Sequence, residues 1–143
     1  MNIRINNHTV SNLTAHIVFV TKYRYSILEW WVQLRVKELI KQICDSEDVR
    51  IIKWVVSKDH IHIHIEYEPK ISISDLVKKI KWRTSRKIQE EFPEIWKRYW
   101  WKHFWAIWYW VWSTWFVSED LINEYLEHHR NPSNFDTDNF ILE

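Results

Sequence analysis

The segment Asp59-His60-Ile61-His62-Ile63-His64-Ile65-Glu66 puts an imidazole or a carboxylate at every second position. Side chains on a strand alternate between faces, so the isoleucines point one way and His60, His62, His64 and Glu66 the other. Three imidazoles in a row are costly as packing alone, because each needs a polar partner or solvent. Nitrogens two residues apart on one strand can converge on a cation. The histidines by themselves leave the metal open among zinc, manganese, nickel, or magnesium with added oxygen ligands. A solvated strand face that uses histidine as a neutral polar residue is the alternative.

A second constellation lies near the C-terminus, at Tyr125, His128 and His129. Tyr125 and His129 are four apart and share a helix face. A phenol in that place can be a nucleophile beside a metal ligand, although a tyrosine with an ordinary pKa of about 10 needs activation. The same spacing also describes an amphipathic helix with Leu121, Ile122 and Leu126 inward and Tyr125 at the boundary. A third feature is basic. Lys79, Arg83, Arg86 and Lys87 follow 3–4 spacing, and no acid interrupts residues Leu76 to Gln89. Such a run is ordinarily a solvated face; without acids it also suits phosphate contacts. Tyr23, Arg24 and Tyr25 add rings and charge of the kind that stack unpaired bases.

These residues need elements to hold them. Asn12 to Thr21 and Val49 to Val56 are rich in β-branched and apolar types and read as strands. Ile61 to Tyr67 alternates strictly, and the short break at Lys58-Asp59 predicts an antiparallel hairpin. Val32, Val36, Leu39, Ile40 and Ile43 give helical spacing within Ser26 to Asp45. Leu76, Val77, Ile80, Thr84 and Ile88 do so for a helix that starts at Ser74-Asp75 and stops before Pro93. Glu94 to His103 reads as an aromatic, basic connection, Phe104 to Thr114 as a fourth strand, and Ser118 to His129 as a last helix. The order is strand, helix, strand, strand, helix, strand, helix. Its first six members predict an α+β, ferredoxin-like split β-α-β fold. Four antiparallel strands would carry two helices on one face, with the last helix, bearing Tyr125, near the other face.

The 143 residues suit one domain over 1–143, with a core from about 8 to 130 and a tail from 131 to 143. Apolar residues at 46% and charged residues at 27% are a globular composition and exclude a disordered chain. No apolar run is long enough to span a bilayer. The N-terminus lacks the continuous apolar core of a signal peptide. The single cysteine, Cys44, cannot form an internal disulfide, which fits a reducing cytoplasm. The net charge of +1 does not select a partner.

Several stretches carry a resemblance: TAHIVFVTKYRY, VVSKDHIHIHIEY, SDLVKKIK followed by RTSRKIQEEFP, KHFWAI, and EYLEHHRNPSN with DNFILE. In this order the chain resembles the TnpA-type insertion-sequence transposases, single-tyrosine members of the HUH endonucleases, from about His8 to the C-terminus. The resemblance implies that His60 and His62 are metal ligands and Tyr125 the nucleophile. It implies that His129, where the family often has glutamine, is a third ligand, and that His64 sits behind the ligands or faces DNA. It further implies a divalent ion, Mg2+ or Mn2+, and a homodimer on single-stranded DNA hairpins, one subunit's histidines being completed by the other's tyrosine helix. The implied reaction is a transesterification through a 5′-phosphotyrosine. A domesticated palindrome-processing nuclease, or a sheet that presents aromatics to RNA or single-stranded DNA without catalysis, are the competing functions.

The chain has 12 tryptophans and no glycine, where average usage gives roughly ten glycines. The resemblance implies glycine at Trp30, Trp54, Trp82, Trp101, Trp108, Trp110 and Trp115, with Trp31 and Trp96 as further cases, and true tryptophan at Trp100, Trp105 and Trp112. A gene whose UGA codons specify glycine, read as tryptophan, gives this pattern; a deliberate or natural tryptophan-rich variant is the alternative. The literal sequence would then be expected to suffer overpacking, at about 1–3 kcal/mol for each filled core site.

Overall fold

A computed structural model describes residues 3–6, 8–99 and 104–113, together with positions 120 and 124. The chain opens with two short paired strands, β1 (Arg4–Ile5) and β2 (Val10–Ser11). The long strand β3 (Leu13–Thr21) follows, then helix α1 (Trp30–Ser46), β4 (Arg50–Val56), β5 (His60–Tyr67), α2 (Ile73–Glu91), a short helix α3 (Pro93–Tyr99) and β6 (Trp105–Trp112). The main sheet is antiparallel and ordered β4-β5-β3-β6. The two strands that flank α1 are separated by β5, so this is the expected ferredoxin-like arrangement.

The predicted stripes are the buried ones. Helix α1 buries Val32, Val36, Leu39, Ile40, Ile43 and Cys44, and α2 buries Leu76, Val77, Ile80, Thr84 and Ile88 among others. They meet Ala15, Ile17 and Phe19 of β3 and Ile61, Ile63 and Ile65 of β5 in one core. Burying each isoleucine contributes about 2 kcal/mol. Trp105 closes this core at the edge strand. Its ring packs edge-on to Phe19 at 4.8 Å, and its indole N–H donates to Thr84 Oγ1 at 2.7 Å. Lys81 reaches the same edge, donating to the carbonyls of Ala106 at 2.6 Å and Ile107 at 3.0 Å.

Boundaries differ from expectation for local reasons. Helix α1 begins at Trp30 instead of Ser26, because Leu28 N–H is tied to the Lys58 carbonyl at 2.9 Å and holds the approach extended. Ser72, not Ser74, caps α2 by accepting from Asp75 N–H. The expected connection after Pro93 starts as α3, since proline at a first helical turn gives up no needed donor. The β1–β2 pair, too short to show periodicity, is also new. Without glycine, the left-handed residue that ends α1 is Asp48, at φ 57°.

Among the described residues no tryptophan has a positive φ, so none stands where the backbone itself demands glycine. Trp30, Trp31, Trp82 and Trp108 are 67%, 43%, 57% and 52% exposed. The expected overpacking does not arise at these four, because their rings displace no core atom. Trp105, expected to be a true tryptophan, is the one buried in the core among the described tryptophans. No described helix is long and apolar enough to cross a membrane. The expected last helix lies outside the described residues, apart from Asp120 and Glu124, which are helical and exposed.

Candidate functional site

Strand β5 divides its residues as its alternation predicts. Ile61, Ile63 and Ile65 enter the helix-side core, and His60, His62, His64 and Glu66 lie on the opposite face. The surprise is burial: these four are 5%, 6%, 6% and 3% exposed, so the row is not a solvated polar face.

Register decides the company they keep. On β3, Thr14, His16, Val18 and Val20 stand opposite Glu66, His64, His62 and His60. On β6, Trp112 is opposite His16 and Trp110 opposite Val18. The row therefore gains a fourth imidazole. His16 Nδ1 shares a hydrogen bond with His62 Nε2 at 2.9 Å, and the His16 ring stacks on His64 at 3.9 Å between centroids and 12° between planes. Sequence reasoning left His16 unassigned. The signal was present, because Ala15, Ile17 and Phe19 pointing inward force His16 to the outer face. Burial holds His64 below the usual imidazole range, with the neighbouring His62 acting in the same direction.

His60 is oriented from the β4–β5 turn. The turn is closed by Ser57 N–H bonding to the His60 carbonyl at 2.9 Å, and Asp59 Oδ1 lies 2.9 Å from His60 Nδ1. A carboxylate on one imidazole nitrogen fixes the tautomer and leaves the other nitrogen with its lone pair, the arrangement found behind metal-ligating histidines. His60 thus fits a metal. Glu66 is answered by Arg4 of β1, whose guanidinium donates to it at 2.9 and 2.6 Å and to Asp48 at 2.8 Å. The hydrogen bond to Glu66 is the main reason the Arg4 pKa is raised. Glu66 is accordingly committed to holding the first strand. Among the described residues, no group of three or more His, Cys, Asp or Glu side chains already stands in metal-binding geometry.

The loop after β3 is brought to the His60 end of the sheet, where Thr21 N–H bonds to the Asp59 carbonyl at 2.9 Å. In it Tyr23 is 52% exposed at φ 62°, an outlying conformation for a bulky residue, with its ring 5.3 Å from that of Tyr25. Arg24 lies in the same turn of 3-10 helix. The basic stripe is elsewhere. Lys79, Arg83, Arg86 and Lys87 are on α2, in the helical layer on the far side of the sheet from the histidines. There Lys79 pairs with Glu47, Arg86 with Glu90, and Arg86 also covers the Trp82 ring at 5.4 Å. Tyr125, His128 and His129 lie outside the described residues.

With this arrangement in view, the sequence profile of the family described as "Transposase IS200 like" matches residues 9–129, most of the chain. This chain belongs to the IS200-like transposase family. The matched range includes His16, the histidine row and Tyr125. It is 32% identical over 92 residues to the transposase for insertion sequence element IS200 of Salmonella typhimurium, a stretch covering 64% of this chain and 60% of that protein. It is 26% identical over 91 residues to the ISDra2 transposase TnpA of Deinococcus radiodurans, covering 64% of this chain and 65% of that one. Among solved structures, a Deinococcus radiodurans protein assigned as a transposase superposes with a TM-score of 0.76 at 26% identity, over 87% of this chain and 95% of the other. The REP-associated tyrosine transposase bound to a REP hairpin shares the fold, with a TM-score of 0.58 at 15% identity over 87% of this chain and 68% of that one.

Proposed function

We propose that this IS200-like family member is a transposase that cuts and rejoins single-stranded DNA at hairpin-bearing element ends. Tyr125 is its nucleophile, and His60, His62 and His129 hold a divalent ion, Mg2+ or Mn2+. The observation that carries the reading is the buried histidine face with Asp59 set behind His60. Family membership supports the reaction class, and a fold neighbour bound to a hairpin supports the substrate class.

In the reaction the Tyr125 oxygen loses its proton and bonds to the scissile phosphorus. The bond from phosphorus to the 3′ oxygen breaks, and that oxygen takes up a proton. A 5′-phosphotyrosine and a 3′-hydroxyl result. One phosphodiester replaces another, so the strand can be rejoined without ATP. The ion, when bound, offsets charge developing on the phosphate. Burial of the site strengthens that electrostatic contribution. Tyr23 and Arg24, at the His60 end of the sheet, receive unpaired bases next to the cleavage point. Lys79, Arg83, Arg86 and Lys87, on the far side of the sheet, contact phosphates of a different part of the same DNA. The unit is a homodimer working in the cytoplasm, its sites shared between subunits.

The test is incubation of the full chain with single-stranded element ends and Mn2+ or Mg2+, followed by denaturing electrophoresis. A covalent protein–DNA adduct is expected from wild type and none from Tyr125→Phe, with hairpin affinity nearly unchanged. An adduct of wild-type yield from Tyr125→Phe would sink the assignment and point to Tyr23, Tyr67 or Tyr109.

A further inference from the structure

We propose that Thr21, at the end of β3, is a positioning residue that holds the turn presenting Tyr23 and ties this turn to the Asp59–His60 pair, so that a base received on Tyr23 stands in a fixed place relative to His60. This rests on the reading that Tyr23 receives an unpaired base beside the cleavage point. Thr21 is fully buried. Its hydroxyl donates to the Tyr25 carbonyl at 2.8 Å and lies 3.3 Å from the Asp59 carbonyl, which also accepts the Thr21 backbone N–H at 2.9 Å. A threonine hydroxyl bonded to a nearby main-chain group closes a turn much as a backbone bond does. Here it spans residues 21 to 25, with Tyr23 at the apex. The same Asp59 places its carboxylate 2.9 Å from His60 Nδ1. Thr21 is thus bonded on one side to the residue that orients His60 and on the other to the turn that carries Tyr23.

The turn is held against a conformational preference. Tyr23 sits at φ 62° and ψ 9°, in the left-handed region where a Cβ is penalised and glycine or asparagine is tolerated. Strain of this kind persists only where the surroundings over-determine it, and it collects at functional positions. The surroundings here are the Thr21 hydroxyl and the bond from Lys22 N–H to the Phe104 carbonyl, which pin the start of the turn to its neighbours. The fold gains little in return, because Tyr23 is 52% exposed and its ring meets that of Tyr25 only at a tilt, 5.3 Å between centroids and 41° between planes. A half-open ring on a strained turn with a buried anchor suits a flat partner from outside the chain, and every nucleobase has a π-face. Without the Thr21 hydroxyl the backbone can relax at Tyr23 and carry the ring away from its place beside His60. A displacement of about 1 Å is enough to cost about 100-fold in rate.

The experiment measures kcat and KM for Mn2+-dependent adduct formation by the full chain on single-stranded element ends, intact or with the base removed from one nucleotide at a time around the cleavage point. Wild type should lose about tenfold in kcat/KM at one such position, and Tyr23→Asn should show no such dependence. Thr21→Val keeps the side chain's shape and removes its hydroxyl. On intact DNA it should lower kcat at least about tenfold with KM changed less than about threefold, and it should lose nothing further on DNA lacking that base. Thr21→Ser restores the hydroxyl and should keep at least about half of the wild-type kcat. Wild-type kcat in Thr21→Val, an equal fold loss on intact and base-lacking DNA, or Thr21→Ser as slow as Thr21→Val would each overturn the proposal. Urea unfolding gives a check that needs no activity. Asparagine at position 23 relieves the strain that Thr21 holds, so Thr21→Val should destabilise Tyr23→Asn protein less than wild type, and should fold in that background even if it folds poorly alone. Equal losses in the two backgrounds, or failure to fold in both, count against the coupling. If wild type depends on one base and Tyr23→Asn does not, while Thr21→Val cuts like wild type, only the role of Thr21 falls. If wild type is indifferent to the removal of every base, the reading of Tyr23 falls and takes this proposal with it.

Discussion

His60 and His62 are buried on the sheet face opposite α1 and α2, while the basic side chains of α2 lie across the sheet. Removing an imidazole should therefore separate cutting from binding. His60→Ala or His62→Ala is expected to lower adduct formation at least 100-fold, with hairpin affinity changed less than about threefold, measured by gel shift in parallel. Loss of binding along with cleavage would mean that the row contacts DNA directly. Cys44 offers a residue-scale check on the core. Burial pushes its thiol up to about 12, with Asp45 adding to the effect. At pH 8 the native thiol stays protonated, so iodoacetamide should label it only after denaturation. Rapid labelling of native protein would show that α1 is not seated as described.

At the scale of elements, Arg4 ties the β1–β2 pair to the main sheet. Arg4 joins Glu66, Asp48 and Glu68 at 2.6 to 3.2 Å, and Glu66 has a side chain only 4% exposed. Truncating Arg4 strands a buried carboxylate. Arg4→Ala should cost roughly 3 kcal/mol in urea unfolding, and the double variant Arg4→Ala with Glu66→Gln should recover part of it. Equal losses in the single and double variants would show that the hairpin is held by packing instead. The element most often needed for precision here is the β4–β5 turn, since it sets Asp59 behind His60 and also anchors Leu28 ahead of α1.

At the scale of the whole molecule, a site shared between subunits has a direct consequence. Tyr125→Phe and His60→Ala proteins, each inactive alone, should recover about a quarter to a half of wild-type cleavage when mixed and allowed to exchange, because mixed dimers hold one intact site. No recovery after verified exchange would place each site within one chain. The tryptophans raise a second question at this scale. The described ones are mostly at the surface or half-buried, so the fold tolerates them without requiring them. Peptide mass spectrometry of protein from its native host should find glycine at Trp108, Trp110 and Trp115, and tryptophan at Trp105, whose indole bonds Thr84 in the core. Tryptophan at the first three positions in active protein would end the recoding explanation.

The sequence by itself determined what depends on local periodicity. Alternation over residues 60–66 separated the histidines from the isoleucines, and 3–4 spacing named the buried stripes of α1 and α2. Both follow from backbone geometry that repeats within a few residues. Only the tertiary structure decided what depends on pairing between distant segments. His16 meets His62 across 46 positions, and Arg4 meets Glu66 across 62. Sheet order and register bring those groups within hydrogen-bond reach, and no local pattern encodes them. The same holds for the basic stripe. Its spacing marked one face of a helix, but the packing of α2 against the isoleucine side set that face apart from the histidines.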